Sequence, residues 1–146
     1  MKRLGILGAT GSIGRSCLSV VAECPEKFQV VSMTAGENAE LMAEQVLAVK
    51  PAFVSMANEK AANQLRTRLR QAGCNGVPEI SYGQVGMKKA STLAEVDMVL
   101  SSTVGVAGLP ATYEARASLP CDPYNQSRAD FLGDPLQPKP PAKTIR

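Results

Sequence analysis

The chain has 146 residues, 20% of them charged, and a formal net charge of +3, which suits one compact domain and not two full-sized ones. It has no histidine and no tryptophan, so a Ser-His-Asp triad, a Cys-His pair and an HExxH zinc site are all excluded. The positive charge is too mild and scattered to argue for nucleic acid, and no run of about 18 apolar residues is present to span a membrane.

Leu4-Gly5-Ile6-Leu7 is a short apolar run of buried-strand character, ending at Gly8-Ala9-Thr10-Gly11-Ser12-Ile13-Gly14. A helix is expected from about Ile13 to Glu23, with Cys17, Leu18, Val20 and Val21 facing inward and Pro25 beyond its end. Phe28 to Met33 reads as a second strand and Gly36-Glu37-Asn38 as a turn. Ala39 to Val49 should be a helix carrying Leu41, Met42, Val46 and Leu47, stopped before Pro51. Ala52 to Met56 is a third strand. Asn58 can cap a third helix running through Arg70, which Ala72-Gly73 closes. Glu79 to Tyr82 is a weaker strand, Gly83 to Ala94 is partly helical, Asp97 to Ser101 is a fifth strand, and Gly105 to Ala117 starts another helix. Residues 119–146 hold six of the ten prolines and show no periodicity, so they read as an extended, disordered tail after a domain of residues 1–118. The strand–helix alternation predicts an α/β fold, a Rossmann-like doubly wound parallel sheet with helices on both faces and ligands beyond the carboxyl ends of the strands.

The most informative segment is the GxxGxxG loop. It follows a predicted strand and opens a predicted helix, the context that gives such a triplet meaning. Gly8 permits the sharp turn, Gly11 leaves the backbone open to a pyrophosphate, and Gly14 lets the helix pack against the sheet. The amides of Thr10 to Ile13 would point at the anion, and the Thr10 and Ser12 hydroxyls could add bonds. The lysine of an ATP-hydrolysing P-loop is absent. The plainer alternative is a glycine-rich turn that binds nothing. Glu37 could accept from a ribose hydroxyl and repel a 2′-phosphate, or simply be a solvated acid at a helix start; Asn38 could cap that helix or bond the ribose. The small, polar Ser101 to Gly108 segment either admits a nicotinamide or is a tight strand-to-helix turn.

The opening Lys2-Arg3-Leu4-Gly5-Ile6-Leu7-Gly8-Ala9-Thr10-Gly11-Ser12-Ile13-Gly14 resembles that of the 1-deoxy-D-xylulose 5-phosphate reductoisomerases. So do Cys24-Pro25-Glu26-Lys27-Phe28, Ala35-Gly36-Glu37-Asn38, Lys50-Pro51 and Ser102-Thr103-Val104-Gly105-Val106-Ala107-Gly108-Leu109-Pro110, all in register over residues 1 to about 115. The resemblance implies a cytoplasmic oxidoreductase of non-mevalonate isoprenoid synthesis. Its sugar phosphate substrate, 1-deoxy-D-xylulose 5-phosphate, is rearranged and reduced to 2-C-methyl-D-erythritol 4-phosphate. The family uses NADPH and a divalent metal (Mg, Mn or Co) and works as a homodimer. Carried over, cofactor contacts fall on Thr10, Gly11, Ser12, Ile13, Gly36 and Asn38, to which the reading of the loop and rim adds Gly8, Gly14 and Glu37. The family often has Lys or Arg where this chain has Glu37, a departure that bears on the choice between NADPH and NADH.

A larger departure follows Ala115. The family continues into a strand and an Ala-Asn-Lys-Glu-Ser segment, whereas this chain reads Arg116-Ala117-Ser118-Leu119-Pro120-Cys121-Asp122. Such a break suits a truncated or frame-altered sequence. No catalytic residue and no metal ligand can be assigned, so the expected property is cofactor binding without turnover. Two rival readings are a stand-alone nucleotide-binding module and the amino-terminal part of another GxxGxxG reductase. The second would need a catalytic cysteine, and Cys121 lacks a histidine to activate it. The widely spaced Cys17, Cys24, Cys74 and Cys121 suit reduced thiols better than disulfides or zinc.

Overall fold

The computed structural model describes residues 1–74, 76–103 and 111. Five strands and four helices alternate: β1 (Lys2–Leu7), α1 (Ser12–Glu23), β2 (Phe28–Thr34), α2 (Ala39–Val49), β3 (Phe53–Met56), α3 (Glu59–Gln71), β4 (Glu79–Tyr82), α4 (Gly83–Thr92) and β5 (Met98–Ser101). The strands form one parallel sheet in the order β4-β3-β2-β1-β5. Chain order therefore reverses at β1. A crevice opens at such a switch point because the connections on either side leave in opposite directions.

Alternation along the strands gives the sheet two faces. Leu4, Ile6, Val30, Met33, Val54 and Met56 lie on one, against Val21 of α1, Met42 and Val46 of α2 and Leu65 and Leu69 of α3. The other face carries Leu7 and Phe53, packed with Ala90 of α4 and with Ala111. Between them on this second face stand small or polar residues: Gly5 pairs with Ser32, Thr34 with Ser55, and Ser55 with Ser81. Helix α4 sits close above them. The Ser32 hydroxyl donates to the Ala90 carbonyl at 2.6 Å, and a Cβ at Gly86 would overlap the Ser55 hydroxyl. Lys89 of α4 lies over the Phe53 ring, 5.1 Å from its centre, and pairs with Glu79 at 2.5 Å.

The expected fold class is the observed one, and α4 turns the partly helical stretch into a full helix. Two side chains depart from expectation. Val20 is 52% exposed and Leu47 38%. Gly14 fixes the rotation of α1, because its missing side chain is what rests on the β1–α1 loop. The inward stripe then runs through Gly14, Cys17, Leu18 and Val21, and at about 100° per residue Val20 is carried out to solvent. The helix expected from Gly105 to Ala117 lies outside the described residues apart from Ala111, which is helical and buried. The tail of residues 119–146 lies wholly outside them.

Candidate functional site

The site is built from the loops that leave the carboxyl ends of β1, β2 and β3. At Gly8 the chain turns with φ +85°, and a Cβ there would stand 2.9 Å from the Ser102 carbonyl oxygen. A Cβ at Gly14 would overlap the Gly8 carbonyl and the Ala9 backbone. Glycine is thus required at both places, once by backbone conformation and once by space. Gly11 is exposed and forms the N-cap of α1; its own amide donates to the Gly8 carbonyl at 3.1 Å. That bond corrects the expectation that every amide from Thr10 to Ile13 points outward. The first amide closing a full helical turn is that of Arg15, on the Gly11 carbonyl at 2.9 Å, so the amides of Ser12, Ile13 and Gly14 open the helix.

The three helices on the apolar face start differently. Asn38 caps α2 by accepting from the Leu41 amide at 3.0 Å, and Glu40 sits in that helix's first turn. Asn58 caps α3 by accepting from the Ala61 amide at 2.9 Å, with Glu59 in the first turn. Helix α1 has no side-chain cap and no acid in its first turn. Its positive dipole end is left uncompensated, at the switch point, beside exposed Ser12 and Ile13.

The loop is held from three sides by residues that the sequence did not single out for this role. Thr34, at the end of β2, accepts from the Gly8 amide on both its hydroxyl and its carbonyl, each at 3.1 Å, and from the Ala9 amide at 2.8 Å. Gln45 of α2 donates through Nε2 to the Ala9 carbonyl at 3.0 Å. Ser102 donates its hydroxyl to the carbonyls of Leu7 (2.7 Å) and Gly8 (3.0 Å), and its amide to Leu7 as well (2.8 Å). The legible signal was polarity out of place: Gln45 interrupts the inward stripe Met42, Ala43, Val46, and Thr34 ends an apolar strand. At the head of the segment after β5, Ser102 spends its hydroxyl and amide on the loop's backbone; residues 104–108 lie outside the described set.

Gly36, Glu37 and Asn38 are exposed after β2, adjacent to the β1 loop because Leu7 and Thr34 are register partners. No atom lies within 4 Å of a Cβ at Gly36, so this rim is open. Glu37 accepts from the Asn58 side-chain amide at 2.6 Å and lines, with Asn38 and residues of α3, a groove of about 950 Å³. An uncapped helix start, glycines where side chains would intrude and an open rim suit a dinucleotide. A metal does not fit in the same way, since the described residues contain no group of three His, Cys, Asp or Glu able to hold one. Burial pushes the Cys17 thiol pKa upward, which suits packing and not nucleophilic chemistry. No helix among the described residues is long and apolar enough to cross a membrane.

Comparison with known proteins agrees with this geometry. A family model for 1-deoxy-D-xylulose 5-phosphate reductoisomerase matches residues 4–118. The reductoisomerase of Photorhabdus laumondii is 45% identical over 115 residues, and that of Geotalea uraniireducens 46%. Each match covers 79% of this chain and under a third, 28% and 29%, of the relative. A crystal structure of DOX-P reductoisomerase with NADPH, fosmidomycin and magnesium superposes with a TM-score of 0.75 at 27% identity, over 81% of this chain and 28% of that one. The Zymomonas mobilis enzyme with NADPH gives 0.70 at 29% identity, over 78% and 29%. The match over residues 4–118 takes in the glycine loop, the open rim, β1 from Leu4 onward and the other four strands, and on it the chain belongs to the 1-deoxy-D-xylulose 5-phosphate reductoisomerase family.

Proposed function

We propose that this chain is the nicotinamide-dinucleotide-binding part of a reductoisomerase. The carrying observation is the start of α1, the one helix on the apolar face, among the described residues, with neither side-chain cap nor first-turn acid. The amides of Ser12 and Ile13 and the Thr10 and Ser12 hydroxyls would hold the diphosphate of NADPH, with Gly8, Gly11 and Gly14 keeping the approach clear. Gly36, Glu37 and Asn38 would face its adenosine half. Thr34, Gln45 and Ser102 act as positioning residues, since each bonds the backbone of the loop or of the strand that leads into it. Bound NADPH supplies a hydride. The chain's own part is to fix the cofactor, not to activate a sugar phosphate, for which the described residues offer no metal-ligand cluster. The enzyme's substrate, its metal and its dimeric state thus attach to the longer family protein, and this chain alone should bind cofactor without turnover.

The test places an acid where the helix lacks one. Ser12→Asp puts an acid in the first turn of α1, just inside its Gly11 N-cap, and should leave urea stability unchanged or raise it by about 0.3–1 kcal/mol. It should lower NADPH affinity at least tenfold, about 1.4 kcal/mol, followed by nicotinamide fluorescence. Equal binding by the wild type and Ser12→Asp would sink the assignment. Formation of 2-C-methyl-D-erythritol 4-phosphate by the chain above a no-enzyme control would refute the lack of turnover.

A further inference from the structure

We propose that Arg15 holds the 2′-phosphate of NADPH in this chain, reaching it from α1. The inference rests on the dinucleotide reading above and deepens it at one position. Arg15 is exposed and is the fourth residue of α1. A cation so near the start of a helix opposes the helix dipole. Its guanidinium makes no hydrogen bond or ion pair with the described residues. Arg3, Arg66 and Arg68, by contrast, are committed to Asp97, the Ile80 carbonyl and Glu40. An unpaired charge set against the local field, with nothing in the fold to offset it, is expected where a ligand completes the arrangement.

Helix geometry says where that charge goes. Leu18 and Ala22 of α1 face Gln45 and Ala48 of α2 across an apolar cleft of about 330 Å³. Around the α1 axis Arg15 stands about 20° from Ala22 and about 60° from Leu18, so it lies on the same flank, nearer the glycine loop. Helical side chains lean toward the N-terminus, which carries the Arg15 stem toward the mouth of the crevice. Across from it on α2, one and two turns before Gln45, are Leu41 and Asn38, the latter at the rim. Arg15 thus sits between the uncapped start of α1, where the diphosphate would rest, and the rim that would face the adenosine. The acid at the rim is drawn to the far side. Asn58 caps α3 through Oδ1 and donates through Nδ2 to Glu37 Oε1 at 2.6 Å, which holds that carboxylate toward α3. Gly36 leaves the rim itself open. A guanidinium meets a phosphate with two parallel N–H donors, which suits a dianion at the ribose 2′ position.

The experiment uses the full 146-residue chain, titrated separately with NADPH and NADH and read by nicotinamide fluorescence. The wild type should bind NADPH more tightly than NADH. Arg15→Gln should weaken NADPH by about tenfold or more and NADH by less than about twofold. Arg15→Lys should fall between the two, because a single ammonium replaces a two-pronged donor. The urea midpoint of Arg15→Gln should be unchanged or higher, since a charge facing the dipole is removed, and this separates lost binding from lost folding. Added salt should narrow the preference for NADPH more in the wild type than in Arg15→Gln. Equal weakening of both cofactors in Arg15→Gln would assign Arg15 to the diphosphate and overturn the inference. So would an NADPH affinity that Arg15→Gln leaves intact, or a Lys60→Ala variant that loses NADPH selectively, which would put the phosphate on the α3 side. Those outcomes spare the dinucleotide reading; if the wild type binds neither nucleotide, both fall.

Discussion

The two faces of the sheet solve one packing problem in opposite ways. On the α1–α3 side, branched and long apolar residues fill the space between sheet and helices: Ile6, Met33, Val54 and Leu65 are each fully buried. On the α4 side the sheet offers Gly5, Ser32, Thr34, Ser55 and Ser81, and the helix comes close to Ser55 and Ser81 at Gly86 and to Gly5 and Ser32 at Ala90. The first face is held by apolar area removed from water. The second depends on close approach and a few polar bonds, with Phe53 as its main apolar anchor. The difference teaches that burial alone does not say how a contact is made. Ser32 and Ser55 are as buried as Leu65, yet the Ser55 hydroxyl has no hydrogen-bond partner among the described residues.

Substitutions should separate the faces. The largest effect is expected from Leu65→Ala, which leaves a cavity on the apolar side and should lower stability in urea by about 2–5 kcal/mol. A smaller loss, about 1–3 kcal/mol, is expected for Gly86→Ala, where the added methyl meets Ser55 and Ser81. That loss has a distinctive signature. Ser55→Ala alone should be neutral or slightly stabilising, since it removes a buried hydroxyl without a partner, and it should restore most of the stability lost in Gly86→Ala. A double variant no better than Gly86→Ala would mean that α4 does not rest on Ser55. The smallest effect concerns Cys17, which packs against the apolar cluster and whose thiol is pushed upward by burial. A raised thiol pKa leaves less thiolate at pH 8, so iodoacetamide should modify Cys17 more slowly than a small free thiol. The stabilisation from keeping this thiol neutral is present below the unfolded-state pKa and is lost as pH rises through the higher folded value.

The same contrast explains what could be read in the sequence. The apolar runs Leu4 to Leu7 and Phe28 to Met33 announced their strands, and Asn38 and Asn58 announced helix starts, because each signal is local. Gly8 and Gly14 were legible for the same reason: a strand, a tight turn and a helix lie within a few residues. The supports of the loop were not. Thr34, Gln45 and Ser102 reach it from 26, 36 and 94–95 residues away, and the out-of-place polarity of Gln45 and Thr34 does not say which backbone they bond. Glu37 was visible as an acid at the right place, but its tether to Asn58 spans 21 residues and needed coordinates. The inward set of α1 was overdrawn because adjacent apolar residues cannot share one helical stripe.

The bonds from Ser102 to Leu7 and Gly8 carry a consequence for the order of events during synthesis. The first turn of the chain is finished by almost its last described residue, 94–95 positions later. Asp97 takes part in the same closure through Arg3. As the polypeptide leaves the ribosome, β2 and β3 can add to β1 early, yet the Leu7 carbonyl waits for donors not yet translated. Contacts of such long separation form late. A nascent chain can therefore be largely folded while its glycine loop is still unfinished, and the loop is completed only when β5 takes its place at the edge.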